Sequence, residues 1–228
     1  VNAEIPASAG SVSLLRRDPT PVRSRLALRG EFPALPWAGS DSHLKWEMEL
    51  ALYPPKNRLD MALRIDWKGE ATRIRLKIPS NIDAAGGLFE IPFGVVERKP
   101  YRERGTARGE WPAMRFAAIE THDRGLALAN TGVAGVEIAG GTLWTTLLRA
   151  PGSDSGNLVR DATSSQHGTH EFRFALVLYA GKDRRTEAIA AAQELNSPLL
   201  HSMRPCASGS ANIGADSLRR SFLALSPS

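Results

Sequence analysis

Apolar residues recur at every second position over two neighbouring stretches. Leu44, Trp46, Met48, Leu50 and Leu52 alternate with Lys45, Glu47 and Glu49, and Leu59, Met61, Leu63, Ile65 and Trp67 repeat the pattern. Side chains of a strand alternate between its two faces, so each run presents one apolar face to a core. Pro54-Pro55-Lys56-Asn57 between them is turn chemistry, and the two runs predict a long antiparallel hairpin with Trp46 and Trp67 in the core. Ile74, Leu76 and Ile78, separated by Arg75 and Lys77, predict a third strand that ends at Pro79.

The later chain continues in the same way. Leu26 and Leu28 suggest an early strand; Met114, Phe116 and Ala118 suggest another, which turns through His122-Asp123-Arg124-Gly125 into Leu126–Asn130. Leu143–Leu148 is a compact apolar run. Phe172, Phe174, Leu176 and Leu178 form one face of a late strand whose other face, Ala175, Val177 and Tyr179, is also apolar, which implies cover on both sides. One helix is expected over 184–195: Ala188, Ala190, Ala191 and Ala192 favour it, Asp183 or Thr186 can cap it, and Pro198 stops it. The fold class is therefore all-β, a large antiparallel β-sandwich with one short C-terminal helix. Residues 1–200 read as that domain. Residues 201–228 read as a polar linker leading, at Ser221-Phe222-Leu223-Ala224-Leu225, into the start of a truncated further β-module.

Composition narrows the classes. In 228 residues the hydrophobic share is 42% and the charged share 23%, values that support a packed domain. No run approaches the roughly 20 apolar residues of a membrane helix, so no membrane partner is expected. The net charge of +5 is spread along the chain. Its densest run, Arg98 to Arg108, is interrupted by Pro100, Glu103 and Gly105 and reads as a solvated loop, so no nucleic-acid partner is expected either. The single cysteine, Cys206, excludes an intrachain disulfide and fits a bacterial cytoplasm.

Candidate chemistry is sparse. His167 and His170 have HxxH spacing without an intervening glutamate, at a loop–strand junction, and read as polar loop residues rather than metal ligands. No G-x-S-x-G elbow is present. Trp37, Trp111, Trp144 and Tyr101, in or near loops, are candidates either for core packing or for stacking on sugar rings.

The order of short motifs is more informative. Phe89-Glu90-Ile91-Pro92-Phe93-Gly94-Val95-Val96-Glu97-Arg98 is followed by Trp111-Pro112-Ala113, Gly125-Leu126-Ala127-Leu128-Ala129-Asn130 and Gly135-Val136-Glu137. Leu147-Leu148-Arg149-Ala150-Pro151, Gly168-Thr169-His170-Glu171-Phe172 and Glu194-Leu195-Asn196-Ser197-Pro198 then follow. Over residues 42–225 this succession resembles the C-terminal β-domain of family 38 glycoside hydrolases, the α-mannosidases. The resemblance implies a galactose-mutarotase-like supersandwich within a retaining, zinc-dependent α-mannosidase that acts on mannose-containing oligosaccharides. It also implies a partner, the N-terminal catalytic domain of the same polypeptide, which holds the zinc and the aspartate nucleophile, so that no catalytic residue and no metal ligand is expected in this chain. Arg149 matches the arginine of the family's Leu-Leu-Arg motif and is the one candidate substrate-binding residue. Gln166 stands where the family often has an acid, four places before the motif histidine. On this reading the chain is a non-catalytic domain that supports the catalytic domain and is inactive alone. The alternatives are an independent carbohydrate-binding module, and a mutarotase-type epimerase, for which His170 and Glu171 make a poor pair because neighbours on a strand face opposite ways.

Overall fold

A computed structural model describes residues 4–33, 35–54, 56–100, 109–151, 165–181 and 184–197. The predicted hairpin is present as β3 (His43–Leu52) and β4 (Arg58–Lys68). Its register sets Leu44 opposite Trp67, Trp46 opposite Ile65, Met48 opposite Leu63 and Leu50 opposite Met61, so the two apolar rows coincide. β1 (Ser11–Pro19) and β2 (Ser24–Glu31) precede it, and β5 (Thr72–Pro79) follows. Next come β6 (Gly87–Ile91), β7 (Gly94–Arg98), β8 (Trp111–Pro112), β9 (Phe116–Glu120) and β10 (Gly125–Asn130). The last elements are β11 (Gly135–Ala139), β12 (Thr142–Ala150), β13 (Gly168–Tyr179) and helix α1 (Arg185–Asn196).

The strands form two antiparallel sheets. Nine run in the order β1-β2-β3-β4-β13-β10-β9-β6-β7, and four in the order β5-β12-β11-β8. Between the sheets, Met61, Phe89, Ile119, Leu128 and Phe174 meet Ile78, Val136, Ile138 and Leu143. A second cluster, at the end where β4 leaves the sheet, joins Leu44, Leu63, Ile65 and Trp67 to Leu148 and Ala150. β5 thus continues directly from β4 in sequence but crosses to the other layer, through Gly69 and the left-handed Ala71 (φ 52°). The glycine pair Gly140-Gly141 closes the β11–β12 hairpin with both residues at positive φ (54° and 70°), the geometry of a type I′ turn that L side chains resist.

The nine-stranded sheet has a second face to cover. On β13, β10, β9 and β6 the outward residues are Ala175, Val177, Tyr179, Ala127, Ala129, Phe116, Ala118 and Leu88, and α1 packs on them through Ala188, Ala191 and Ala192. Small side chains on both partners let the helix lie close to the sheet. This explains why β13 is apolar on both faces over its second half. On β2, β3, β4 and the first half of β13 the same face carries Arg29, Glu47, Arg64 and Glu171 in one cross-strand line, alternating in sign and left to solvent. Polar contacts fasten the helix: Arg185 pairs with the Glu120 carboxylate, Arg58 Nη1 pairs with Glu194 Oε2 at 2.8 Å, and Arg115, itself paired with Glu90 of β6, donates to Gln193 Oε1.

Several expectations need correction. Met114 lies outside β9 and is exposed, because its amide turns back to the Glu90 carbonyl at the entry to the strand. Thr186 does not cap α1: the cap position is Arg184, without a side-chain cap bond, and its guanidinium pairs with Glu187. Arg98 is not a solvated loop residue. It belongs to β7, donates to the Pro112 carbonyl at 3.0 Å and lies 4.8 Å from the Trp111 ring centroid. Trp46 is half-buried rather than central, its ring lying across Gly30 of β2, where a Cβ would meet it at 2.5 Å. The remainder of the Arg98–Arg108 run, Asp183, and the linker and strand expected over 201–228, with His201 and Cys206, lie outside the described residues.

Tyr179 sits under α1 and donates to Glu120 Oε2 at 3.0 Å. Burial first, then the Glu120 charge and hydrogen bond, push its hydroxyl above the ordinary value of about 10, against a smaller opposing effect of Arg185. The folded state keeps this proton at a pH where the unfolded chain releases it. Its contribution to stability is therefore complete below about pH 10 and declines as pH rises beyond that. In urea titrations Tyr179→Phe is expected to cost about 1 kcal/mol at pH 7. It is also expected to flatten the fall in stability between pH 9.5 and 11; an unchanged alkaline slope contradicts this assignment.

Candidate functional site

One end of the sandwich gathers most of the polar chemistry. There β3 begins, β4 turns into β5, β12 ends and β13 begins. β12 brings Arg149 to this end. A bulge between Thr146 and Leu148 shifts its register against β5, so that Leu148 and Ala150 point into the core and Arg149, between them, points out, opposite Arg73. The Arg149 side chain is exposed.

Ser165 leads into β13, and four hydrogen bonds order residues 165–170. Trp67, 1% exposed, donates its indole N–H to the Ser165 carbonyl at 3.1 Å. The Arg149 backbone N–H donates to Gln166 Oε1 at 2.9 Å. His167 Nε2 meets the Gly69 carbonyl at 2.9 Å and His170 Nε2 meets the Gln166 carbonyl at 2.7 Å. A carbonyl only accepts, so each imidazole carries its proton on Nε2. Gln166 holds a left-handed backbone (φ 52°), uncommon for a residue with a side chain, and the bond to Arg149 compensates for it. The structure thus brings Arg149 and Gln166 into direct contact through one main-chain amide. It directs the two histidines at separate carbonyls rather than at a common point.

Beside Arg149 lies an ion-pair lattice that the sequence pattern did not reveal. Glu110 accepts from Thr146 Oγ1 at 2.7 Å and pairs with Arg73 at 2.6 Å and Arg75 at 3.4 Å; Arg75 also pairs with Glu137 at 2.7 Å. Thr146 Oγ1 in turn accepts from Arg73 Nε at 2.8 Å. Arg73 and Arg75 stand on one face of a strand, as their spacing foretold. Glu110 is outside any periodic run, and only the unbalanced cations of β5 hinted that a carboxylate must face them. The neighbouring Trp144 is a strand residue, not a loop residue: the Arg75 guanidinium and the Lys77 ammonium lie 4.8 Å and 4.5 Å from its ring centroid. Trp111 carries Arg98 and donates its N–H to the Lys99 carbonyl at 2.9 Å. Trp37, in a short 3-10 turn at Pro36–Ala38, is 42% exposed. Tyr101 lies outside the described residues. Nearby, the Lys68 ammonium holds the Asp41 carboxyl below its ordinary range, first by a hydrogen bond and then by charge, with His167 adding a weaker attraction.

Among the described residues no three His, Cys, Asp or Glu side chains converge on a point that suits a metal ion. The donor set for the zinc of the family resemblance is therefore not found in the described part of this chain.

The fold and this polar end define a large antiparallel sandwich domain of the supersandwich kind. The family model described as glycosyl hydrolases family 38 C-terminal domain matches residues 6–157. Alpha-mannosidase 2C1 of Mus musculus is 31% identical over 175 residues, which are 76% of this chain and 16% of that protein, and the Homo sapiens protein of the same name gives the same figures. Alpha-mannosidase G of Dictyostelium discoideum is 27% identical over 65% of this chain and 13% of its own length. Among solved structures, an alpha-mannosidase from Enterococcus faecalis V583 superposes with a TM-score of 0.70 at 15% identity, over 80% of this chain and 23% of that one, and shares the fold. The chain belongs to glycoside hydrolase family 38, as its C-terminal domain. It spans 16% of the length of the two 2C1 mannosidases and 13% of alpha-mannosidase G.

Removing the Gln166 acceptor should loosen this end. Gln166→Ala is expected to lower stability by about 1 kcal/mol. Gln166→Gly, which relaxes the left-handed backbone, is expected to cost less, and Gln166→Glu, which keeps the acceptor and adds charge, to cost nothing. Chemical denaturation of the three variants gives the ranking; equal losses for Ala and Gly contradict the proposed strain.

Proposed function

We propose that this chain is a non-catalytic β-sandwich of an α-mannosidase-type hydrolase, which buttresses the catalytic domain of the same polypeptide and lends Arg149 to the sugar site. The observation that carries this reading is the match to the C-terminal domain of a hydrolase family by a chain that spans 16% of its relatives. Glycoside hydrolysis with retention needs two carboxyl groups flanking the scissile bond. Glu110, Glu137, Glu90 and Glu120 are all engaged by arginines here, which fits a supporting role.

Arg149 suits substrate contact. A guanidinium presents five donors in a planar fork and binds sugar hydroxyls or a carboxylate without changing its charge. Arg73 and Arg75 are spent on the carboxylate lattice, while the Arg149 side chain stays exposed, held in place through its own backbone by Gln166. The zinc of the parent enzyme, which binds sugar hydroxyls when present, belongs in this reading to the catalytic domain. The bacterial cytoplasm suggested by the single cysteine is the compartment we assign. Capture of sugar by a free-standing binding module finds less support, since Trp111 and Trp144 already have cations on their rings.

The chain alone, with zinc supplied, is expected to show no turnover of an aryl α-mannoside, whereas the full-length polypeptide turns it over. In the full-length protein Arg149→Ala is expected to lower kcat/KM roughly 10- to 100-fold, about 1.4 to 2.7 kcal/mol of transition-state stabilisation, with partial recovery in Arg149→Lys. Zinc-dependent turnover by the isolated chain would falsify the non-catalytic assignment, and an unaffected Arg149→Ala enzyme would remove the arginine from the site.

A further inference from the structure

The two sheets are unequal, and the shortfall is localised. The cross-strand row Leu63, Met48, Leu28 and Leu14 runs outward on the inner face from β4 to β1. Leu63 is 6% exposed, Met48 and Leu28 are half-buried, and Leu14 is 58% exposed. One step along the strands, Met61 is buried, Leu50 and Leu26 are half-buried and the β1 residue is the exposed Arg17; one step the other way, Val12 of β1 is 52% exposed. Met48 and Leu50 still touch the packed clusters that include Ile74 and Leu76 of β5, whereas Leu26, Leu28, Leu14 and Val12 belong to none. The cover stops at β5, the last strand of the smaller sheet.

β5 pairs only with β12 among the described strands, so its other edge carries unpaired backbone groups. The Ser80 amide bonds to the Gly141 carbonyl, and the antiparallel alternation from that pair turns the amides of Leu76 and Ile78 to β12 and those of Arg75 and Lys77 to the open edge. An open strand edge thus adjoins an uncovered apolar face two strands wide, about 10 Å at the usual strand spacing. By contrast, the β1 edge carries a bulge at Leu15, Arg16, Arg17, Asp18 and Pro19, devices that discourage pairing.

We infer that this recess receives an extended segment from the part of the hydrolase polypeptide that lies outside this chain, added as a strand beside β5. The chemistry of the occupant follows from the walls. Inward residues must be apolar, to cover Leu14, Leu26 and Leu28. Outward residues are polar, because they face solvent beside Arg73, Arg75 and Lys77, whose charges Glu110, Glu137 and the Trp144 ring already engage. The relatives supply the length: this chain covers 16% of alpha-mannosidase 2C1 and 23% of the Enterococcus faecalis V583 alpha-mannosidase. The inference rests on the reading that the chain is one domain of a longer hydrolase, and it names the surface used.

Hydrogen–deuterium exchange followed by mass spectrometry compares the chain with the full-length polypeptide. The peptide spanning residues 72–79 is expected to exchange at least tenfold more slowly in the full-length protein. That protection is expected to vanish in the full-length Leu14→Glu/Leu28→Glu variant, while the same changes leave the unfolding midpoint of the isolated chain within a few degrees. Equal exchange of this peptide in the isolated and full-length wild-type proteins overturns the inference. So does protection in the isolated chain that rises with concentration and tracks a dimer in sedimentation, because the occupant is then a second copy. Aryl mannoside hydrolysis is scored separately: protection without hydrolysis keeps the docking surface and removes the functional reading, and hydrolysis without protection does the reverse.

Discussion

A sheet nine strands wide must dispose of two broad faces, and every other feature of this domain answers that demand. Burial of apolar surface is the dominant favourable contribution to folding, and it accrues only where a second layer is present. The smaller sheet supplies that layer over β4, β13, β10, β9 and β6, and α1 supplies it on the opposite side. Where no layer lies on the outer face, the sequence switches to alternating charges, Arg29, Glu47, Arg64 and Glu171, that remain hydrated. On the inner face of β1 and β2, Val12, Leu14, Leu26 and Leu28 stay apolar though only partly covered, and Arg17 is the charged residue among them. That mismatch between side-chain chemistry and available cover is what the inferred added strand would resolve.

The same demand explains which parts of the fold were legible in the sequence. Strands β3, β4 and β5 each face solvent on one side, so their period of two is clean, and the hairpin register followed from it. The helix was visible because its alanines and its length separate it from strands. β1 was missed because the bulge at Leu15 breaks the alternation of Ser11–Pro19. β6 and β7 were visible only as a family motif, since the residues of β6 are buried on both faces and show no period. No local signal reports which layer a strand joins, so the crossing of β5 to the smaller sheet could not be read from its sequence.

The polar end was legible to a different degree. Arg149 and Gln166 were each singled out by motif position, but nothing in a linear reading joins residues 17 apart through one amide. The carboxylates of the lattice were less visible still. Glu110 lies in no periodic segment, and its role exists only because its side chain reaches past Gly135 of β11 to Thr146 of β12 and Arg73 of β5. Cations on β5 face outward from a sheet and are stable there because carboxylates from other strands neutralise them. One result is that the Trp144 ring has cations against it, and another is that Arg149, one step along, is left with its fork exposed.

The anchoring of residues 165–170 has a consequence for how the domain can vary. Pro151 follows a strand tied to β5, and the Ser165 carbonyl is held by the buried Trp67 indole one residue before Gln166, whose side chain holds the Arg149 amide. A change at Trp67 is therefore transmitted to Arg149 through two hydrogen bonds, which makes a core tryptophan the point from which the polar end can be retuned.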